Sequence, residues 1–192
     1  MTGRTHDLAA LTTITCFIAI QPLTPITLAT AVSAVSANLI GAAAPDLDQP
    51  TGKLWRKIPA GTLWGRIFHP FFGAHRSISH SFLGVFIFGF IAWQVLTYMS
   101  AFLLVDIQVV WLSFMFGLLS HLFMDLFTKQ GLPLLFPIPV TFGIPPIKRL
   151  RITTGKLLET SFVFPALLLF NAYIIYQNYE KFLDFLKHYI IR

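Results

Sequence analysis

Long runs without a single charged residue constrain this chain more than any other feature of its sequence. Residues 8–45, 77–105, 107–124 and 160–179 contain no Asp, Glu, Lys or Arg. A transmembrane helix needs about 20 mostly apolar residues, so the first run is long enough for two helices. The stretch QPLTP at 21–25 holds two prolines and predicts a turn between helices at about 8–21 and 26–44. The sequence therefore predicts about five membrane spans.

The composition also belongs to the membrane class of proteins. Of the 192 residues, 55 % are hydrophobic and 11 % are charged, whereas an ordinary soluble domain has about 25 % charged residues. The net charge of +6 comes from basic residues between the apolar runs, so we expect membrane lipids as partners and no nucleic acid. We expect residues 1–192 to form a single membrane-embedded domain of the all-α class, a polytopic transmembrane helical bundle.

Two segments outside the predicted spans have a character of their own. Residues 130–147 are uncharged but contain five prolines, which excludes a regular helix and predicts a proline-rich loop. Such a loop is either re-entrant or at the surface, and it packs on protein because irregular backbone is not tolerated in lipid. The C-terminal stretch EKFLDFLKHYIIR has apolar residues at helical spacing and predicts a helix along the membrane interface.

The basic residues predict the orientation of the spans. Arg4 and the segments 46–80 and 129–156 carry 11 of the 14 lysines and arginines. Five spans place these three parts of the chain on one side, which the positive-inside rule makes the cytoplasmic side. The turns at 21–25 and at Asp106 then face the opposite side, and neither contains Lys or Arg. We therefore expect a multi-pass inner-membrane protein with its basic side toward the cytoplasm.

Histidines and carboxylates gather at the cytoplasmic ends of the predicted spans. They are His6 and Asp7, Asp46 and Asp48, His75 and His80, His121 and Asp125, and Glu159. Five helix ends would bring these groups to one level of the bundle, next to the basic surface. Ionisable residues within a membrane protein are costly, and by default they mark a functional site.

The spacing of these residues suits a metal ion. His121 and Asp125 are four residues apart and share one helical face, so both can bind one ion, or the aspartate can orient the histidine. PDLD at 45–48 supplies two more carboxylates, and HRSISH at 75–80 supplies two more histidines. The single cysteine, Cys16, lies in an apolar run. The ligands would therefore be nitrogen and oxygen atoms, a set that fits Zn²⁺, Mn²⁺ or Fe²⁺ in one or two sites.

Each motif has a simpler explanation when it is taken alone. HxxxD could form an interhelical hydrogen bond, PDLD could be a loop or a helix cap, and HRSISH could be a polar rim in which Ser79 caps a helix. Their convergence at one level favours a metal site over these explanations. Arg76, between His75 and His80, is placed to bind a phosphate, whereas topology explains most of the other basic residues.

At these motifs the chain resembles the YdjM family of bacterial inner-membrane proteins, which are described as membrane-bound, metal-dependent hydrolases. The matching elements are His6, PDLDQP at 45–50, HRSISHS at 75–81, GLLSHLFMDLFTKQGLPLLFP at 117–137, and TGKLLE ending at Glu159. The family pattern usually reads HRGxTHS, so Ser77 and Ser79 depart from it while both histidines stay in place. Lys129 stands where the family often has proline.

The resemblance implies a helical membrane hydrolase with a divalent metal, with zinc expected, in one or two ions. The implied metal ligands are His6, Asp46, His80, His121 and Asp125. His75, Asp48 and Glu159 are implied as further ligands or acid–base groups. The order of these residues is also similar to that of zinc-dependent phospholipase C, and this similarity favours a phosphoester as substrate.

The resulting hypothesis is an enzyme in which metal-bound water attacks a phosphoester of a lipid or other amphiphile at the cytoplasmic face. Asp48 or Glu159 would take the proton from that water, and Arg76 would hold the phosphate. An ester or amide bond ranks second as the target. Two non-enzymatic alternatives stay open: a protein that binds or transports ions or metals, and a membrane anchor that binds a cytoplasmic partner through its basic loops.

Overall fold

Seven α-helices make up most of the chain in the computed structural model, which describes residues 1–20, 26–50, 52, 55–57, 59–72 and 77–190. They are α1 (Gly3–Ile20), α2 (Leu28–Ala43), α3 (Gly61–Phe72), α4 (Phe82–Met99), α5 (Ile107–Leu126), α6 (Phe164–Gln177) and α7 (Tyr179–Ile190). A π-helical turn at Glu159–Val163 leads directly into α6. Among the described residues there is no β-strand, only isolated bridges, so the predicted all-α class is confirmed.

In the part of the chain that the structure describes, three helices are long and apolar enough to cross a membrane: Phe82–Met99, Ile107–Leu126 and Glu159–Gln177. Helix α2 is apolar but has only 16 residues, and α1 occupies the first predicted span. Helices thus occupy all five predicted segments, three of them qualify as candidate spans, and the number five stays a prediction. The predicted turn at 21–25 lies outside the described residues.

Polar caps explain where the helices begin. Asp106 accepts hydrogen bonds from the backbone N–H groups of Gln108 and Val109, at 2.9 and 3.2 Å, and so starts α5. Thr27 caps α2 by accepting from the N–H of Thr30 at 3.1 Å. The hydroxyl oxygen of Thr30 in turn accepts from the N–H of Asp106 at 3.0 Å. The N-terminal ends of α2 and α5 therefore lie together, and these two helices run parallel.

Helix α5 is the centre of the bundle, and it contacts α1, α2 and α4. Its closest partner is α2, because glycines let the two backbones touch. A Cβ atom added at Gly41 would lie 2.1 Å from the carbonyl oxygen of Phe114, and one added at Gly117 would lie 1.9 Å from that of Asn38. Small residues at helix interfaces permit such close packing in membrane proteins. The tight crossing fixes the C-terminal half of α5 against the end of α2.

The proline-rich segment 130–147 contains no helix. The N–H of Phe82 donates to the carbonyl oxygen of Leu134 at 3.0 Å, and the N–H of Ile144 donates to that of Leu126 at 2.8 Å. These bonds join the segment to the start of α4 and the end of α5. The guanidinium of the buried Arg151 donates to the carbonyl oxygens of the two prolines at 145–146, at 2.7 and 3.0 Å. Backbone carbonyls that proline leaves without a helical partner are thereby satisfied.

The last helix, α7, lies at the end of the bundle opposite His6. The ammonium of Lys181 donates to the carbonyl oxygen of Ala19 at 2.9 Å, near the C-terminal end of α1. A cation at this position satisfies a helix-end carbonyl and suits the helix dipole. The tail predicted from its apolar spacing is helical as far as Ile190, and its location along the membrane interface stays a prediction.

Candidate metal centre

The five side chains implied as ligands come together at one end of the bundle. His6 lies near the start of α1, Asp46 in the 3-10 turn Pro45–Asp48 after α2, and His80 in the 3-10 turn Ile78–His80 before α4. His121 and Asp125 lie in the last two turns of α5. All are buried except Asp46, whose side chain is 31 % exposed. Four separate parts of the chain thus form one cluster with one accessible edge.

Four of these side chains form a ring of alternating nitrogen and oxygen atoms. His80 Nε2 lies 3.9 Å from Asp46 Oδ1 and 3.8 Å from Asp125 Oδ2. His121 Nε2 lies 3.8 Å from each of the same two oxygens. Tetrahedral zinc with bonds of about 2.1 Å separates its ligand atoms by about 3.4 Å. The four N–O distances exceed this separation by a few tenths of an ångström.

The orientation of His121 is set by a backbone carbonyl. Its Nδ1 lies 2.6 Å from the oxygen of Ala42, which can only accept, so Nδ1 carries the proton and Nε2 has a lone pair. That Nε2 atom is buried and has no hydrogen-bond partner within the described part of the chain. A buried polar atom in this state is unusual, and a bound cation would satisfy it.

His80 is oriented by a different group. Its Nδ1 is 2.9 Å from the hydroxyl of Ser79 and 3.6 Å from Asp48 Oδ2. The Ser79 hydroxyl donates to the same Asp48 oxygen at 2.6 Å. Asp48 therefore lies behind His80, on the side away from the ring of ligand atoms. Partners of this kind fix the ring of a ligating histidine and raise its basicity. The contacts of Asp48 therefore favour a role in positioning His80 over the predicted role of general base.

His6 extends the cluster on the other side of Asp125. Its imidazole stacks on that of His121 with ring centroids 3.8 Å apart, and its Nε2 is 3.3 Å from Asp125 Oδ1. The amino nitrogen of Met1 also contacts Oδ1. The two oxygens of Asp125 therefore face different neighbours, with Oδ1 toward His6 and Oδ2 toward His80 and His121.

Among the described residues, two overlapping groups of side chains could hold a metal: His6, His121 and Asp125, and Asp46, His80 and His121. Both groups need His121, whose Nδ1 is already bonded to Ala42. Only Nε2 is then available, and one nitrogen binds one ion. These residues could therefore hold a single ion, or two ions of which His121 would bind only one.

Glu159 is buried at the start of the π-helical turn. Its Oε1 accepts from the N–H and hydroxyl of Thr2, at 2.6 and 2.7 Å, and from the hydroxyl of Thr5 at 2.6 Å. Its Oε2 accepts from the N–H of Gly155 at 2.7 Å. A carboxylate with these four bonds ties the beginning of α1 to the beginning of the last candidate span. Its contacts favour a structural role over the predicted catalytic one.

The remaining predicted site residues, His75 and Arg76, lie outside the described residues, and their roles stay predictions.

Ser79 is a functional candidate for which the sequence suggested another role. The N-cap of α4 is Ser81, which accepts from the N–H of Gly84 at 3.2 Å, so the suggestion that Ser79 caps this helix is wrong. The 3-10 turn at Ile78–His80 shifts the cap to Ser81 and turns the hydroxyl of Ser79 toward Asp48.

Comparison with known proteins identifies relatives over nearly the whole chain. A family model described as YdjM inner membrane protein matches residues 1–182. The uncharacterized protein YvsG of Bacillus subtilis (strain 168) is 28 % identical over 183 residues, which cover 94 % of this chain and 98 % of that protein. No solved structure matches the chain.

Proposed function

The chain belongs to the YdjM inner membrane protein family, and we propose that it is a membrane-bound hydrolase whose histidine–aspartate cluster holds a divalent metal ion. The observation that carries the proposal is the buried Nε2 of His121, 3.8 Å from both Asp46 Oδ1 and Asp125 Oδ2. In a purely structural cluster, this nitrogen would be expected to find a hydrogen-bond partner. A metal ion explains why two imidazoles and two carboxylates present their lone pairs to one another.

Zinc is the proposed metal, in one or two ions. Two imidazole nitrogens and two carboxylate oxygens suit its tetrahedral preference. A catalytic zinc site has three protein ligands and keeps its fourth position for water or substrate. Because Asp46 is the carboxylate at the accessible edge of the cluster, it would be the ligand that yields its place to that water. A bound divalent ion would lower the pKa of water to about 7 and so supply a nucleophile at neutral pH.

The residues of this chain would hold and orient the reacting groups. His80 and His121 would bind the ion through Nε2, with Asp48 and the Ala42 carbonyl fixing their rings from behind. Asp46 would meet the incoming substrate first, because the other ligands are buried. Arg76, beside His80 in the sequence, is proposed to hold a phosphate.

The proposed substrate is a phosphoester of a lipid or other amphiphile at the cytoplasmic face. The proposal is supported by the position of the cluster at the ends of two candidate spans, α5 and the helix beginning at Glu159. A site at this level meets lipid head groups. The cytoplasmic side follows from the positive-inside rule applied to the two basic segments that flank the cluster motifs.

The test is to purify the full chain in detergent without chelators and to measure its metal content by elemental analysis. The same sample is then assayed for phosphate release from phosphatidic acid and for release of diacylglycerol or of the free head group from phospholipid vesicles, before and after metal removal. We expect about one or two zinc ions per chain and hydrolysis that is lost with chelation and restored with zinc. Metal-free protein would overturn the proposal, and bound metal without hydrolysis of any lipid ester would favour metal binding or transport.

A further inference from the structure

An apolar groove of about 490 Å³ lies beside the histidine–aspartate cluster, between α5 and α6. On the α6 side it is lined by Val163, Ala166, Leu167 and Phe170. These residues follow the i, i+3, i+4, i+7 pattern and so form one stripe along the helix. Seven residues of helix rise about 10 Å. The groove is therefore elongated along the axis of a candidate membrane span.

The inner end of the groove touches the cluster. Met124 and Phe127, at the end of α5, and Met1 line it there. Met124 precedes the ligand candidate Asp125, and the amino nitrogen of Met1 contacts Asp125 Oδ1. The other end of the α6 stripe, Phe170, is 47 % exposed. The groove thus leads from the level of the cluster toward the lipid-facing surface of α6.

We propose that this groove binds one acyl chain of the lipid whose polar head reaches the histidine–aspartate cluster. The head-group part of this inference rests on the proposed function, but the binding of the acyl chain does not. All residues that line the groove are apolar, so an extended hydrocarbon chain would leave no polar group unsatisfied. Met1 and Met124 have flexible thioether side chains that adapt to chains of different shape. The volume falls within the usual range for ligand sites, about 300–1,000 Å³.

A second apolar groove provides a matched comparison. It has a volume of about 460 Å³ and lies between α4 and α5, where Val85, Trp111 and Met115 contribute to its lining. Met115 lies ten residues before Asp125 on α5, a distance of about 15 Å along the helix. This groove offers hydrocarbon the same kind of surface. Its α5 wall is remote from the cluster, whereas its α4 wall begins at Phe82, two residues after His80. If lipid simply coats the protein, both grooves should bind it equally.

The experiment is photo-crosslinking of the full chain in vesicles of phosphatidylethanolamine and phosphatidylglycerol. A small fraction of the phosphatidylglycerol carries a diazirine midway along one acyl chain, and the labelled residues are mapped by mass spectrometry. We expect labelling to concentrate between Val163 and Phe170 and at Met124. Ala166→Trp, which fills the groove, should reduce this labelling several-fold, whereas Val85→Trp in the second groove should leave it unchanged. Ala166→Leu is a milder variant for the case in which the tryptophan prevents folding.

The outcomes separate this inference from the proposed function. Even labelling of α4 and α6, or labelling that Ala166→Trp and Ala166→Leu both leave unchanged, would overturn the acyl-chain site whatever the metal content. Metal content is measured on the same samples. Selective labelling in protein that contains no metal would keep the acyl-chain site and remove the hydrolase. Protein that contains metal but shows no selective labelling would remove the acyl-chain site and leave the proposed metal centre in place.

Discussion

His121 and Asp125 occupy successive turns of α5, and each presents its two polar atoms to different partners. His121 directs Nδ1 to the carbonyl of Ala42 and Nε2 to the ring of ligand atoms. Asp125 directs Oδ1 to His6 and Oδ2 to His80 and His121. Because each atom has a separate contact, a substitution of either residue removes more than one interaction. Asp125 has the most partners, since its two oxygens contact His6, His80, His121 and the amino nitrogen of Met1, so we expect the integrity of the cluster to depend on it most.

Asp125→Asn should reduce the metal content of the purified protein to background, because a neutral amide replaces a carboxylate that faces two ligand nitrogens. Asp106→Asn is the matched control at the opposite end of the same helix. It removes a negative charge there but keeps an efficient N-cap, so its metal content should equal that of the parent. Elemental analysis after purification without chelators measures both. Equal metal content in the two variants would contradict the role of Asp125 as a metal ligand.

Asp48→Asn and Ser79→Ala test whether Asp48 positions His80 or acts as a base. If it positions His80, both variants should weaken metal affinity about 10–100-fold, the usual effect of losing a partner behind a ligand. Titration against a chromogenic chelator measures this affinity directly. Unchanged affinity together with lost hydrolysis in Asp48→Asn would instead make Asp48 the base.

Pairs of helices hold these side chains in place, and the α2–α5 crossing is the closest of the contacts described. Gly117 lies one turn before His121, and its missing side chain lets the carbonyl of Asn38 approach. The C-terminal end of α2 then brings the carbonyl of Ala42 to His121 and leads into the turn that carries Asp46. The missing side chain of Gly117 therefore helps to set the distance between His121 on α5 and Asp46 after α2.

Gly117→Ala should lower the free energy of unfolding by about 1–3 kcal/mol, because the added methyl overpacks a backbone contact. It should also lower metal affinity, since α5 must move away from α2. Gly89→Ala is the control, since its added carbon would lie 2.9 Å from the Sδ of Met115, a flexible side chain that can move. Unfolding titrations in mixed micelles compare the two variants. An equal loss of stability would contradict a special role for the α2–α5 crossing.

Glu159 holds the beginning of α1 against the π-helical turn, as Gly117 holds α5 against α2. Glu159→Gln should destabilise the protein by about 1–3 kcal/mol, because its amide nitrogen faces donors that need an acceptor. The ratio of metal to protein should stay unchanged if Glu159 only anchors the turn. Glu180→Gln, at an exposed position on α7, is the control and should leave the melting temperature unchanged. Lost hydrolysis with unaltered stability would restore Glu159 as a catalytic candidate.

For the molecule as a whole, the proposed cytoplasmic position of the cluster can be tested by labelling. In a Cys16→Ser background, a cysteine at the exposed position Ser100, after α4, lies opposite the cluster, and one at the exposed position Thr154 lies near Glu159. A membrane-impermeant maleimide applied to spheroplasts should label Ser100→Cys at once. It should label Thr154→Cys only after the membrane is permeabilised. The reverse pattern would place the cluster on the outer side.

Much of this architecture can be predicted from the sequence. The uncharged runs indicate where helices lie, and the four-residue spacing of His121 and Asp125 places both on one face. Helix α3 and the exchange of Ser79 for Ser81 as the cap of α4 were not predicted. Helix α3 lies in the polar connection between the second and third predicted spans, where no apolar run indicates the structure. Ser79 and Ser81 lie at the very start of the uncharged run 77–105, where charge alone does not show at which residue the helix begins. There the local fold depends on contacts with the rest of the bundle.

By itself, the sequence determined the helical class, the positions of the apolar segments and the identity of the residues gathered at one end. These follow from short-range physics, since uncharged runs of about 20 residues are suited to spanning a membrane as helices. The tertiary structure alone decided which nitrogen of His121 faces the carboxylates and that Glu159 is bonded to Thr2 and Thr5. Those roles come from contacts such as His121 with Ala42, 79 residues apart. Spacing along one segment carries no information about such contacts.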